Sequence, residues 1–186
     1  MATAESVYCN TLLAMTTTTS TPARPVVGIL FAIAGLLGVL SRIFALSGIV
    51  FGGVWFDVVL HGALALGFLL LFLGKGPGML TRLFYIIAAV GWALLTLSGA
   101  GLSLGIVYQI GVVLALVGTL IAGILSFGGK VFSRGANIVF LIWSILAAVV
   151  LLNQLVGFLS GTIATVVVAV YAVALLVAGI LITARR

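Results

Sequence analysis

Six apolar runs, each about twenty residues long, occupy this chain almost without interruption from residue 25 to its end. At 1.5 Å per residue a helix of that length crosses the ~30 Å hydrocarbon core of a bilayer. Lipid offers no hydrogen bonds, so each run has to satisfy its own backbone groups, and a helix does so. Composition points the same way: 65% of residues are hydrophobic and 5% charged, against about 25% charged in soluble domains. The pattern predicts an all-α polytopic membrane protein with six transmembrane helices in three hairpins, covering residues 25–186.

The expected spans run from Pro25 to Leu46, Phe51 to Gly74, Leu83 to Ser98, Leu104 to Phe127, Asn137 to Leu159 and Thr162 to Thr183. Pro25 suits a first helical turn, where its missing N–H costs nothing. Lys75-Gly-Pro-Gly78 and Gly128-Gly-Lys130 are loop signals. Gly28, Ala32, Gly35 and Gly38 form a small-residue stripe, and Gly111, Ala115, Gly118 and Ala122 form a second. Such stripes let helix backbones approach closely. Residues 1–24 form a polar, Thr-rich tail of low complexity, and Met15 is an alternative start within it.

With six spans, Arg24, Lys75, Arg82, Lys130, Arg134, Arg185 and Arg186 all fall at one end of the bundle. Positive loops stay cytoplasmic, so both termini are expected inside, with the protein in the inner or plasma membrane of a cell. The formal charge of +6 therefore reads as membrane topology. It does not read as nucleic-acid binding, because no basic stripe with interleaved aromatics exists.

The exceptional span is the second. It carries Asp57, one of two acidic residues, and His61, the only histidine. Four residues apart, they share one helix face. A charge within a span is costly, so it usually faces protein or water. Counting inward from the turns, Arg42, Asp57, Thr96, Gln109, Asn153 and Gln154 reach similar depths in the half of the bundle away from the basic loops, and His61 lies one turn deeper. Either these groups pin helices together by hydrogen bonds, or they line a hydrated pocket that takes a proton or small cation. Arg42 and Asp57 flank the first turn almost symmetrically, so they are expected to form an intramembrane ion pair, with the guanidinium fork holding the carboxylate.

No Gly-rich phosphate loop, nucleophile elbow or carboxylate pair occurs. Cys9 is the only cysteine, so neither an intramolecular disulfide nor a structural zinc site is expected. The expected class is a non-enzymatic membrane protein without cofactor. Its partners would be membrane lipids, and a second copy or another membrane protein docking through small-residue faces. A small proton, cation or solute transporter or channel is the alternative.

Gly28-Ile-Leu-Phe-Ala-Ile-Ala-Gly-Leu36 and the closing run from Tyr171 to Arg186, within this three-hairpin layout, resemble the HdeD-like family of small bacterial membrane proteins. The turns away from the basic end lack the proline common in that family. The resemblance implies a stress-related envelope protein; an accessory membrane subunit is a related expectation.

Overall fold

The computed structural model describes residues 23–47, 54–74, 76–102 and 105–184. The Thr-rich tail with Met15, the first turn, Lys75, Arg185 and Arg186 lie outside them. Six helices make up the fold: α1 (Ala23–Leu46), α2 (Val54–Leu73), α3 (Met79–Gly99), α4 (Gly105–Gly128), α5 (Arg134–Val156) and α6 (Gly161–Ala184). All six are long and apolar enough to cross a membrane. The protein is a six-span helical membrane protein.

Each helix packs against its neighbours in sequence, and α6 closes on α1. The arrangement is a ring of six. Its tightest seams are α1–α6 and α3–α4, and both are built on glycine. A methyl on Gly28 would lie 2.7 Å from the Gly179 carbonyl oxygen, and one on Gly179 would lie 2.6 Å from that of Gly28. A methyl on Gly35 would press on the Leu176 backbone. In the other seam, Gly118 meets the backbone of Ala88, and Gly91 meets that of Ala115. The two seams use one spacing: Gly28, Ala32 and Gly35 in α1, and Gly111, Ala115 and Gly118 in α4. Both stripes are thus occupied within the monomer.

The interior of the ring is filled near its basic end. Phe31, Phe68, Tyr85, Phe140 and Trp143 are all fully buried. Phe31 lies 5.5 Å from Phe68 and 5.7 Å from Trp143, and Phe140 lies 5.5 Å from Trp143, between ring centroids. These side chains come from α1, α2, α3 and α5, and they meet across the ring where the backbones do not. Two hydrogen bonds reinforce the α3–α4 seam. The Tyr85 hydroxyl donates to Ser126 Oγ at 2.6 Å, since Ser126 donates its own proton to the Ala122 carbonyl. Trp92 Nε1 donates to Thr119 Oγ1 at 3.0 Å.

Helix ends differ from the expected ones for local reasons. α3 begins at Met79, ahead of Leu83, and Arg82 inside it donates to the Gly74 carbonyl at 2.6 Å. α5 begins at Arg134, ahead of Asn137, because Ser133 caps it by accepting from the Ala136 N–H. Asn137 then clamps the preceding loop, accepting from Phe132 N at 3.1 Å and donating to Phe132 O at 3.0 Å. α5 also stops at Val156, short of Leu159: Gly157 takes the left-handed conformation at φ 65°, and its N–H bonds the Asn153 carbonyl. The expected start of α2, Phe51, lies outside the described residues; in α2 as described, from Val54, Asp57 falls in the first turn.

Candidate functional site: a cavity at the end opposite the basic loops

Above the aromatic cluster the ring is not filled. A cavity of about 750 Å³ opens there, and every helix contributes to its wall. α1 brings Gly38, Ser41 and Arg42; α2 brings Phe56, Asp57, Leu60 and His61. α3 supplies Trp92, Leu95, Ser98 and Gly99, α4 Gly105 and Tyr108, α5 Val150, Leu151 and Gln154, and α6 Val168, Tyr171 and Ala172. Glycine helps make the space: Gly38 approaches Ala172 and Leu60 without a side chain of its own. Tyr171 joins cavity to core, since its ring also lies 6.0 Å from Trp143.

The polar groups of this wall are incompletely partnered. Among the described residues, Arg42 Nε, His61 Nδ1 and Ser98 Oγ are buried atoms with no hydrogen-bond partner. A buried polar atom left alone is costly, and natural structures rarely leave one so. Among the described residues only Arg82 Nε and Trp143 Nε1 share that condition, so one cavity holds three of five. His61 is fixed by stacking: its ring lies 5.5 Å from that of Trp92 at 24°. Trp92 is fixed in turn by its bond to Thr119.

Arg42 and Asp57, the expected ion-pair partners, both line the cavity, and Arg42 Nε has no hydrogen-bond partner among the described residues. Asp57 packs on the end of α3, where a methyl on Gly99 would lie 3.2 Å from its Cβ. It is exposed and sits in the first turn of α2. There the helix dipole favours a carboxylate.

Of the expected polar layer, the cavity gathers Arg42, Asp57, His61 and Gln154. Thr96 is turned back on its own helix, donating to the Trp92 carbonyl at 2.8 Å. Asn153 serves the end of α5, accepting from Leu159 N. Gln109 is exposed and off the wall. Tyr108 lines the cavity and donates to Gln154 Oε1 at 3.2 Å. Ser98, Trp92 and Tyr171 were outside the expected set. Nothing in the residue types distinguishes them from packing residues, and only the closed ring brings them together.

Comparison with protein families, curated proteins and solved structures finds no match to this chain. The site therefore speaks through its own chemistry. Its described wall holds one guanidinium, one carboxylate, one imidazole, two serines, two tyrosines and the Gln154 amide, over a largely apolar floor. Among the described residues there is no cluster of three metal-ligating side chains.

Proposed function

We propose that this is a non-enzymatic membrane protein of the cell's inner or plasma membrane that holds a small ligand in the cavity opposite its basic end. The observation that carries the reading is the set of three unpartnered polar atoms on one cavity wall drawn from all six helices. The volume of about 750 Å³ falls within the range of small-molecule sites. Arg42, His61 and Ser98 give direction, and Leu60, Leu95 and Leu151 give apolar contact. The unpartnered polar atoms of the wall support binding as the activity assigned. A stress-related role, as the HdeD-like resemblance implies, or an accessory one fits a protein that reports or stores such a ligand.

Small-solute transport is the second reading, favoured by the convergence of all six helices on the cavity. The aromatic cluster occupies the path beyond it in this conformation.

Arg42 provides the test. A guanidinium kept for a ligand weakens the empty protein, because its charge lies partly buried with Nε left without a hydrogen bond. Arg42→Gln is expected to leave the melting temperature of the ligand-free protein in detergent unchanged or raised. A fall of several degrees, about 1 kcal/mol or more for a chain of this size, would make Arg42 a structural residue and remove the main support for a binding site.

A further inference from the structure

The two charges of the cavity define what should enter it. Arg42 and Asp57 share its wall, and Arg42 Nε has no hydrogen-bond partner among the described residues. A simple cation would find Asp57 but leave the Arg42 guanidinium repelling it. A simple anion would find Arg42 with Asp57 working against it. A ligand carrying both signs meets both residues at once, and the low-dielectric surroundings strengthen each contact.

We propose that the cavity binds a small zwitterion with an apolar body. The proposal rests on reading the cavity as a binding site. The anionic group lies toward Arg42 and takes hydrogen bonds from Nε and from Ser98 Oγ, two of the buried atoms without partners. The cationic group lies toward Asp57, the exposed charge on the wall. His61 Nδ1, the third such atom, adds a hydrogen bond from the stacked imidazole. The apolar body rests on Leu95 and Trp92, whose exposures of 3% and 2% mark the floor. Charge-assisted hydrogen bonds at each end and an apolar middle would give both affinity and selection against singly charged analogues.

Three probes with one branched apolar body separate the possibilities: leucine, 4-methylpentanoate, which lacks the ammonium, and 3-methylbutylamine, which lacks the carboxylate. Each is titrated calorimetrically into the purified full chain in detergent, with phenylalanine as a larger zwitterion. Leucine or phenylalanine is expected to bind, and the singly charged analogues to bind roughly tenfold more weakly or less, as for a site built around polar groups that an analogue leaves unmet. Arg42→Gln and Asp57→Asn should each weaken zwitterion binding by roughly the same factor, while Asp57→Asn should improve binding of 4-methylpentanoate. Equal binding of a singly charged analogue, or no binding of either zwitterion to the unaltered chain, overturns the proposal. The cavity reading is scored separately by thiol labelling of Ser41→Cys in a Cys9→Ser background. Labelling without zwitterion binding defeats this inference alone, and absence of labelling defeats both.

Discussion

At the level of single residues, the cavity depends on a short relay: Thr119 fixes Trp92, and Trp92 carries His61 on its face. Interhelical hydrogen bonds in membrane proteins contribute about 0.6 kcal/mol on average. Trp92→Phe and Thr119→Val are each expected to lower stability by about that amount, and the double variant by little more than either alone. Chemical denaturation of the four proteins in detergent measures the coupling, and additive losses would mean that the bond is not formed. Arg42→Gln and Asp57→Asn are expected to behave oppositely. With Asp57 packed on the end of α3, their effects on the ligand-free protein should add within about 0.5 kcal/mol. A larger coupling would show the ion pair that the sequence led us to expect. Arg42, Asp57, His61 and Gln154 were legible in the sequence, because charge or amide within an apolar run has few reasons to be there. The neighbour of Asp57 was not legible. Depth along a helix is a count, but which helix a side chain faces depends on how the ring closes, and Asp57 packs on Gly99 at the end of α3.

At the level of helices, the glycine stripes were legible and so were the six spans, because both are periodic features of an apolar text. Their partners were not. Nothing in α1 says that its stripe meets α6, at the other end of the chain, by the same kind of contact that joins the sequential pair α3 and α4. Helix ends were misplaced wherever a short polar residue capped a helix, as Ser133 does, or a single glycine stopped one, as Gly157 does. Both are local signals that a hydropathy window averages away. The seams make a sharp prediction. Gly35→Leu and Gly91→Leu place a side chain against backbone that cannot retreat, and overpacking of that kind costs about 1–3 kcal/mol or more. Gly135→Leu, at a position where an added methyl meets nothing within 4 Å, should be tolerated. Yield and thermal stability in detergent will separate the sets, and an intact Gly35→Leu protein would show that α1 and α6 are not this close.

For the whole molecule, an even number of spans puts both termini on one side of the membrane. Arg24, Arg82, Lys130 and Arg134 gather at that end among the described residues, so we expect it to be cytoplasmic. A reporter fused after Arg186 should be active only in the cytoplasm, and activity outside would contradict the assignment. The cavity then opens to the other side, above a floor of tightly packed rings. The most direct test of this account is access to that cavity. In a Cys9→Ser background, Ser41→Cys places a thiol on the cavity wall, and Thr119→Cys places one fully buried in the α3–α4 seam. A small, charged, membrane-impermeant thiol reagent is added to intact cells. The Ser41→Cys protein should be modified rapidly from outside while the Thr119→Cys protein stays unmodified; a Ser41→Cys protein as unreactive as Thr119→Cys would mean that no open cavity exists and that the site proposed here is closed packing.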